Sequence, residues 1–393
     1  MTALAGLRVL DLSRVLAGPW ASQTLADLGA DVIKVERPEK GDDTRAWGPP
    51  WLRNSAGEDT AESAYFLCAN RGKRSITVDL STEEGQHWVR ELARDADVVL
   101  ENFKVGGAAR YGLDYSSLAA DNPRLIYCTI TGFGQTGPLA TRPGYDFLVQ
   151  AMGGLMSVTG VPDGEPGGGP QKVGVALTDV MTGLYACIGI LAALNERERS
   201  GVGQQVDLAL LDVTAATLAN QASNYLVGGE CPERLGNAHP NIVPYQSFAA
   251  SDREFIVAVG NDGQFATLCK VLAHAELATD TRFSTNAARV RNRSVLIPIL
   301  TRAFLEHDAS HWLSILEAAG VPAGPVNTIE EVFAEEQLAA RDMIVTLAHP
   351  DNPELRVVGN PIKLSRSPVT YQRPPPRLGE HDAGRKSNRW ETD

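Results

Sequence analysis

Apolar residues near the N-terminus follow two different spacings, one typical of strands and one typical of helices. Short runs rich in β-branched residues predict strands over Leu7–Leu12 and Asp31–Val35, and helical spacing lies between them over Pro19–Leu28. The alternation returns as strand, helix, strand and strand over Ser75–Val78, Glu83–Ala93, Val98–Leu100 and Arg124–Ile130. Strands that alternate with helices predict an α/β fold with a largely parallel sheet.

The middle of the chain departs from this alternation. Residues 132–169 are rich in Gly and Pro, which disfavours helices there. A long apolar helix is predicted over Asp179–Asn195, with Gly201 placed to end it. Its apolar side carries Leu184, Ile188, Leu191 and Leu194. Beyond Gly228, short strand-like runs and helices predict a smaller α+β domain, and the polar tail from Gly379 is expected to fray.

Charge and cysteine content narrow the class of protein. The 36 Lys and Arg against 48 Asp and Glu give a net charge of −12, which repels nucleic acid and anionic lipid. The five cysteines show no CxxC or Cys/His ligand spacing, which indicates a reduced compartment and no metal site. The N-terminus has no signal-peptide pattern, and no run approaches about 18 uninterrupted apolar residues. We expect a cytoplasmic protein without a membrane span.

A GxGxxG string follows the predicted strand over Arg124–Ile130 and suggests a dinucleotide site by pattern alone. It runs from Gly132 to Gly137. That fingerprint needs a helix beginning inside it to direct N–H groups at a pyrophosphate, and Pro138 and Pro143 prevent such a helix. We therefore reject it, although an NAD-dependent oxidoreductase stays as the alternative from another enzyme class.

Three charged residues have a possible functional role, and two of them, Arg37 and Asp179, also allow a purely structural interpretation. After the second strand, Glu36 could hold a ribose, while Arg37 is either a solvated surface charge or a clamp for a phosphate. Asp179, at the start of the long helix, is either an N-cap or a carboxylate nucleophile, which must stay ionised yet poorly solvated. A helix N-terminus stabilises negative charge, so these two roles of Asp179 are compatible.

Signatures of the common hydrolases and phosphoryl-transfer enzymes are missing from the sequence. There is no GxSxG, HExxH or P-loop string. His307 and His311 have the spacing of one helix face but no obvious acidic third ligand, so we interpret them as a helix-surface or helix-boundary feature.

Several motifs occur in a fixed order nearly from end to end of the sequence. They are the segments Val9–Pro19, Gly29–Arg37, Asn70–Ser75, Glu101–Phe103, Gly132–Pro138, Gly174–Gly183 and Gly320–Pro325. In this order they resemble the class III CoA-transferase family, which includes formyl-CoA transferase, carnitine CoA-transferase and 2-methylacyl-CoA racemase. Chance does not account for so many ordered matches.

The resemblance implies a site. It makes Asp179 the catalytic nucleophile. It implies CoA contacts at Arg14, Val15, Ala17, Arg37, Asn102, Phe103 and Arg110. Further contacts at Thr131 and Phe133 are more variable in the family, and some members have a lysine at the first of these.

The implied chemistry passes through a mixed anhydride and an aspartyl-CoA thioester on Asp179. Such intermediates need protection from water, and the segment Gly260, Asn261, Asp262, Gly263 and Gln264 is similar to a mobile glycine-rich loop of the family. The alternative is a plain turn between a strand and a helix.

One position separates transferase from racemase. Racemase members pair the aspartate with a histidine in the segment that matches Gly144–Asp146, and here the position is Tyr145, whose phenol does not titrate near neutral pH. Transferase is therefore favoured, with a 2-methylacyl-CoA racemase or epimerase as the alternative.

Within the family, the sequence is most similar to dicarboxylate enzymes such as the succinyl-CoA:glutarate CoA-transferases. This likeness lies in Gly41–Pro50, Ala238–Phe248 and Arg373–Pro376. A second carboxylate on the acceptor would need a cation or convergent donors, for which Arg45, Lys172 and His239 are candidates.

The family fold implies an interlocked homodimer of chains with a Rossmann-like large domain and a smaller α+β domain. We expect residues 1–225 to form the N-terminal part of the large domain, 226–330 the small domain, and 331–393 a segment that returns to the large domain. Acyl-CoA and a small carboxylic acid are the expected substrates. No permanently bound cofactor and no metal are expected.

Overall fold

The computed structural model describes residues 2–383 and residue 390, which form two compact units. The first unit contains the chain up to Leu155, then Val173–Leu218, and then the chain from Glu336; the second contains Met156–Lys172 and Ala219–Glu335. The predicted domain boundaries lie at 225 and 330. The predicted large domain includes the segment Met156–Lys172, whereas this segment lies in the second unit.

Strands and helices are numbered along the chain. The strands are β1 Arg8–Asp11, β2 Asp31–Glu36, β3 Trp51–Arg53, β4 Asp59–Ser63, β5 Lys73–Thr77, β6 Val98–Glu101, β7 Ile126–Thr131, β8 Gly160–Val161, β9 Gly169–Pro170, β10 Gln205–Ala209, β11 Tyr245–Ala249, β12 Glu254–Ala258, β13 Ala323–Pro325, β14 Ile344–His349 and β15 Asn352–Val358. The helices are α1 Ala17–Asp27, α2 Ala64–Leu67, α3 Glu83–Arg94, α4 Tyr115–Asp121, α5 Asp146–Met152, α6 Leu155–Val158, α7 Leu177–Ser200, α8 Leu210–Thr217, α9 Ala219–Gly228, α10 Asp262–Val271, α11 Asn286–Arg291, α12 Arg293–Phe304, α13 Ala309–Ala318, α14 Ile329–Ala334 and α15 Glu336–Ala340. Short 3₁₀ turns occupy Asp43–Ala46, Ala108–Tyr111 and Ala275–Ala278.

The first unit is built on a six-stranded sheet in the order β10-β7-β6-β1-β2-β5, and every pairing in it is parallel. This confirms the predicted α/β fold with a parallel sheet. Strand β1 pairs with β2 on one side and with β6 on the other, so the strand order reverses beside β1. In open parallel sheets, ligands bind outside the carboxyl ends of the strands at such a point.

Helices cover both faces of this sheet because successive strand residues point to opposite faces. Val9, Val98 and Leu100 pack with α1 and α7 on one face. Leu10, Val99 and Tyr127 pack with α3 and α4 on the other. Most residues of the central strands are therefore apolar and buried, as is typical of parallel strands covered on both faces, and charged residues such as Asp11 and Lys34 are buried with them.

Helix α7 is longer than the predicted Asp179–Asn195 and begins two residues earlier, at Leu177. It is the one helix among the described residues that is long and apolar enough to cross a membrane by length and composition. Ala186, Cys187 and Ile190 pack into the core with α1 and the sheet, as in the core helix of a globular unit. Leu184, Ile188 and Leu191 lie on its exposed side.

The C-terminal segment corrects the prediction of a tail that frays from Gly379. The Gly379 N–H donates to Ser75 Oγ at 3.0 Å, and the Asp382 carboxylate accepts the Thr77 N–H at 2.7 Å and the Thr77 hydroxyl at 2.6 Å. The segment therefore satisfies polar groups along β5, the edge strand of the sheet. Trp390 is buried with the α3 face of the core. The rest of the predicted tail, residues 384–389 and 391–393, lies outside the described residues.

The second unit has its own core. Its three-stranded antiparallel sheet has the order β11-β12-β13. Phe255 on β12, Phe304 on α12 and Trp312 on α13 form edge-to-face pairs at 5.2 and 5.3 Å within one apolar cluster. The sequence predicts a small α+β domain beyond Gly228, and the main segment of the second unit is Ala219–Glu335.

Candidate functional site

The carboxyl edge of the parallel sheet gathers most of the predicted CoA contacts. Arg14 and Val15 follow β1, Arg37 follows β2, and Asn102 and Phe103 follow β6. Since β2, β1 and β6 are adjacent and parallel, these three turns lie side by side at the reversal point of the sheet.

Two of the predicted contacts form an exposed pair of guanidinium groups. Arg14 Nη1 lies 2.7 Å from Asp43 Oδ2, and Arg37 Nη2 lies 2.6 Å from Asp43 Oδ1. One carboxylate therefore orients two arginines whose side chains are about half exposed. This arrangement suits an anion that carries several oxygens, such as a phosphate.

Phe103 and Arg110 both lie in the chain segment that follows β6 at the carboxyl edge of the sheet. The Phe103 N–H donates to Glu101 Oε2 at 2.6 Å, and its ring lies 6.1 Å from that of Tyr111. Burial raises the pKa of the Glu101 carboxyl to about 7. Arg110 is exposed in the adjoining 3₁₀ turn, whereas Ala17 is buried as the first residue of α1.

Two further predicted contacts follow β7. Thr131 Oγ1 accepts the Gly134 N–H at 2.9 Å, and the Phe133 ring is buried. No helix begins between Gly132 and Gly137, since the next helix along the chain starts at Asp146. This agrees with the rejection of the GxGxxG string as a dinucleotide fingerprint.

Glu36 and Arg45 are parts of a buried charge network. Arg45 donates Nε and Nη2 to the two oxygens of Glu36 at 2.8 Å each, Nη1 to Glu62 at 2.9 Å, and Nη2 to the Pro376 carbonyl at 3.0 Å. Its guanidinium also stacks on Phe66, 3.6 Å from the ring centroid. Because the donors of Arg45 are engaged below the surface, we do not propose Arg45 as a contact for the acceptor carboxylate. The Glu36 oxygens bond Arg45, so Glu36 is not available for a ribose.

Asp179 lies in the first turn of α7, half-buried, as the sequence predicts. Its carboxylate does not cap the helix; that role belongs to Asp146. Asp146 Oδ1 accepts the N–H of Thr178 at 2.8 Å and of Asp179 at 3.2 Å, and Oδ2 accepts from Gln150 at 2.7 Å. The Asp179 side chain is thereby left free for chemistry.

The environment of Asp179 favours its neutral form. Burial, followed by the charge of Asp146, raises the pKa of Asp179 to about 7. Burial, followed by the charge of Asp179, likewise raises the pKa of the Tyr65 phenol to about 12. The Tyr65 ring meets Trp47 edge-on at 5.0 Å. Asp179 thus sits beside a second carboxylate and an aromatic pair.

Two glycines bring Asp146 to this place. A Cβ on Gly144 would lie 2.4 Å from the Gly132 Cα, and a Cβ on Gly132 would lie 2.5 Å from the Gly144 Cα. Only two glycines allow the chain after Pro143 to cross the end of β7 this closely. The crossing leads directly into α5, where Tyr145 is the N-cap with 70% of its surface exposed and Asp146 follows.

Sequence reasoning missed Asp146 and Tyr65. Asp146 caps a helix that begins 31 residues later, so no local pattern marks it. Its sequence signal is the segment Gly144–Asp146, in which the family resemblance points to position 145, where racemases have a histidine, and not to Asp146. Tyr65 lies in the short helix α2, and no motif singles it out.

Three predicted residues belong to the second unit. Gly260, Gly263 and Gln264 form the turn from β12 into α10, where the Gln264 side chain accepts the Gly260 N–H at 2.8 Å. The Asn261 side chain caps α10 by accepting the Gln264 N–H at 2.9 Å. The structure thus shows a capped helix start, and movement of this loop stays a prediction.

The remaining candidates for an acceptor carboxylate also lie in the second unit. His239 Nδ1 accepts the Asn241 N–H at 3.0 Å, and its ring lies 5.3 Å from Tyr245. Burial and then the charge of Arg293 lower its pKa. Lys172 is exposed.

Comparison with known proteins decides the family. The sequence profile of CoA-transferase family III matches residues 4–382. The chain belongs to this family. A succinate–glutarate CoA-transferase of Agrobacterium fabrum is 54% identical over 380 residues, which are 97% of this chain and 94% of that protein. The Homo sapiens succinyl-CoA:glutarate CoA-transferase is 44% identical over 96% of this chain and 84% of its own length. An acetyl-CoA:oxalate CoA-transferase of Acetobacter aceti is 42% identical over 96% of this chain and 93% of its own length.

Solved structures agree with the family. The crystal structure of a CAIB/BAIF family protein from Brucella suis superposes with a TM-score of 0.84 at 53% identity, covering 98% of each chain. A Mycobacterium tuberculosis structure gives a TM-score of 0.85 at 33% identity, covering 97% of this chain and 98% of the other. This family transferase therefore shares its α/β fold with relatives over nearly its whole length.

Proposed function

We propose that this class III CoA-transferase moves CoA from succinyl-CoA to a dicarboxylate such as glutarate, with Asp179 as the nucleophile. The observation that carries the proposal is the half-buried carboxylate of Asp179, freed from helix capping by Asp146, in a chain of this family. The substrate class is supported by relatives with those printed names at 54% and 44% identity.

The reaction divides into four transfers on one carboxyl group. The Asp179 carboxylate attacks the thioester carbonyl of the donor, and the C–S bond breaks. CoA departs as its thiolate, and the donor acyl group and Asp179 form a mixed anhydride. The thiolate then attacks the Asp179 carbonyl, releases the donor acid as its carboxylate, and forms the aspartyl-CoA thioester. The acceptor carboxylate repeats both steps in reverse order. Each carboxylate or thiolate consumed is matched by one released, so no net proton is needed.

The environment of Asp179 suits this sequence. A poorly solvated carboxylate is a better nucleophile than one held by several hydrogen bonds, and burial provides that here. A pKa near 7 leaves a useful ionised fraction at neutral pH. In the mixed anhydride and in the aspartyl-CoA thioester, the carboxyl group of Asp179 carries no charge. Its repulsion by the Asp146 carboxylate is therefore relieved as the first bond forms.

The CoA moiety is proposed to lie along the carboxyl edge of the sheet. Arg14 and Arg37, paired through Asp43, suit its phosphate groups. The turns carrying Val15, Asn102 and Phe103 line the same edge. The remaining predicted contacts are Ala17 and Arg110, together with the more variable Thr131 and Phe133.

Assembly and location are further parts of the proposal. We propose an interlocked homodimer, supported by the exposed apolar side chains of Leu184, Ile188 and Leu191 on one side of α7. A cytoplasmic location is proposed because all five cysteines are free thiols. His239 and Lys172 stay as predicted contacts for the second carboxylate of the acceptor.

A substrate panel tests the proposal. The protein is incubated with succinyl-CoA and, separately, glutarate, malate, itaconate or oxalate, and new acyl-CoA species are followed by mass spectrometry. We expect glutaryl-CoA to form with the unmutated protein and to be lost, by at least about 10³-fold in rate, with Asp179→Ala. The control is Asp121→Asn, an exposed carboxylate on α4, which should retain full activity.

Two results would contradict the proposal. Undiminished transfer by a folded Asp179→Ala protein would remove Asp179 from the chemistry. Failure of every acid, with racemisation of a chiral 2-methylacyl-CoA, would replace transfer by epimerisation.

A further inference from the structure

The turn after β1 is held by side chains to an unusual degree. Five successive backbone polar atoms, from the Ser13 N–H to the Val15 N–H, each bond a side chain rather than backbone. Asp11 accepts the first N–H at 2.9 Å and Lys34 donates to the Ser13 carbonyl at 2.8 Å. The Asn102 amide accepts the Arg14 N–H at 2.9 Å and donates to the Arg14 carbonyl at 2.8 Å.

The fifth bond fixes a strained residue. Val15 has φ of 67°, in the left-handed region that a β-branched side chain strongly disfavours. Its N–H donates to both carboxylate oxygens of Asp42, at 3.2 Å each. A valine keeps this conformation only where its surroundings impose it.

Asp42 is itself rigidly held. Its carboxylate lies 2.9 Å from Lys34 Nζ, and both side chains are almost completely buried. Oδ1 also accepts the N–H and the hydroxyl of Thr44, at 3.0 and 2.8 Å. Burial alone would raise the pKa of Asp42, but Lys34 and the Thr44 hydrogen bonds lower it below its usual value, so the acceptor stays ionised.

We propose that Asp42 is a positioning residue for the CoA site: its hydrogen bond to Val15 holds the turn in the left-handed conformation that presents Arg14 and Val15 to the acyl-CoA. The inference rests on the proposed function, which places CoA at this turn. Asp42 touches no substrate in this account. It acts through the backbone of Val15, while its neighbour Asp43 orients the arginine side chains.

The competing explanation is a purely structural ion pair between Asp42 and Lys34. Such a pair would affect the amount of folded protein and its melting temperature, but not the affinity of the folded protein for CoA. A positioning role raises the Kd for CoA and the KM for succinyl-CoA, with little change in kcat once the site is saturated.

The first test is Asp42→Ala, which removes the acceptor of the Val15 N–H, with the Kd for CoA measured by titration calorimetry and KM and kcat measured for succinyl-CoA. We expect Kd and KM to rise about tenfold and kcat to stay within about twofold. The matched control is Asp27→Ala. Asp27 is equally buried and paired with Arg71 at 2.6 Å, at the far end of α1. This control should lose stability with Kd unchanged within about twofold.

A second comparison isolates the backbone effect. Glycine adopts positive φ without the penalty that valine incurs. We therefore expect Asp42→Ala to raise Kd by less than about threefold when introduced into Val15→Gly protein, measured against Val15→Gly alone. An equal loss in both backgrounds would overturn the proposal, because Asp42 would then act independently of the backbone of Val15.

Folding is controlled separately, since Asp42→Ala leaves the Lys34 ammonium buried without this partner. If that variant does not fold, Lys34→Met combined with Asp42→Ala removes both charges. Its Kd is compared with that of Lys34→Met alone, because both proteins then lack the Lys34 bond to the Ser13 carbonyl, and the same increase in Kd is expected. Hydrogen exchange of residues 12–17 in the free protein should accelerate, while that of β2 stays unchanged. A folded variant with unchanged Kd would overturn the proposal. Absence of CoA binding by the unmutated protein would instead overturn the proposed function, and this inference with it.

Discussion

The carboxyl pair of Asp179 and Asp146 sets the pH dependence expected of the enzyme. Asp179 attacks as a carboxylate, and its pKa is raised to about 7 by burial and then by the charge of Asp146. The ionised fraction, and with it kcat/KM, should therefore rise with pH through about 7 and level off above it.

Asp146→Asn tests the origin of this shift. The amide oxygen can still accept the N–H groups of Thr178 and Asp179, but the like charge is gone. The pKa of Asp179 should fall, so the acidic limb of the kcat/KM profile should move to lower pH by roughly one unit. The profile is measured from pH 5 to 9, with Asp121→Asn as an exposed control. A limb that stays in place, or moves to higher pH, would contradict the assignment.

Residue roles were only partly predictable from sequence. The position of Asp179 at a helix start and the exposure of Arg37 agree with local pattern and with family resemblance. Arg45 lies only eight residues after Arg37, yet its partners are Glu36, Glu62 and the Pro376 carbonyl. Those partners are assembled by tertiary folding, so no local rule separates a buried arginine from an exposed one here.

At the scale of elements, the edge strand β5 depends on the C-terminal segment. Asp382 accepts both the N–H and the hydroxyl of Thr77, and a carboxylate bonded in this way contributes more than a neutral acceptor. Asp382→Ala should lower the free energy of unfolding by about 1–3 kcal/mol, measured in urea. Hydrogen exchange of β5 should accelerate as well.

Asp382→Asn serves as the matched control. Its amide oxygen can still accept the Thr77 N–H, so it should lose clearly less stability than Asp382→Ala. Equal stability of all three proteins would show that the segment does not hold the edge strand.

Most strands and helices of the first unit were predictable, because buried parallel strands and amphipathic helices have strong local patterns. The predicted helix Glu83–Ala93 differs from α3 by one residue. The C-terminal segment was not predictable, since its polar residues bond a strand about 300 positions earlier. Composition alone suggests a frayed tail in such a case.

For the whole molecule, the proposed homodimer makes a separate prediction. Ile188 is 61% exposed between Leu184 and Leu191 on α7, and a contiguous apolar surface of this kind usually marks an interface. The native mass should be twice the chain mass of 42.2 kDa. Ile188→Asp should reduce the dimer fraction at least about tenfold at a given concentration, measured by analytical ultracentrifugation. Glu198→Gln, exposed near the end of the same helix, is the control. A monomeric unmutated protein would contradict the proposal.

The α/β fold, the family and the class of enzyme could be predicted from the sequence because ordered motifs extend along nearly the whole chain. The assignment of residues 156–172 to the second unit could not, because that segment is short, rich in Gly and Pro, and placed by contacts with residues such as Arg234. Local spacing gives no information about which core such a segment joins.

The most direct test of Asp179 as the nucleophile is to detect the covalent intermediate on its side chain. The protein is mixed with succinyl-CoA without an acceptor, quenched in acid and digested, and the peptide carrying Asp179 is examined by mass spectrometry. We expect a CoA thioester on Asp179 that is absent from Asp179→Asn. Glutarate should discharge this thioester with release of glutaryl-CoA. A thioester on another residue, or glutaryl-CoA formation by Asp179→Asn at the unmutated rate, would contradict it.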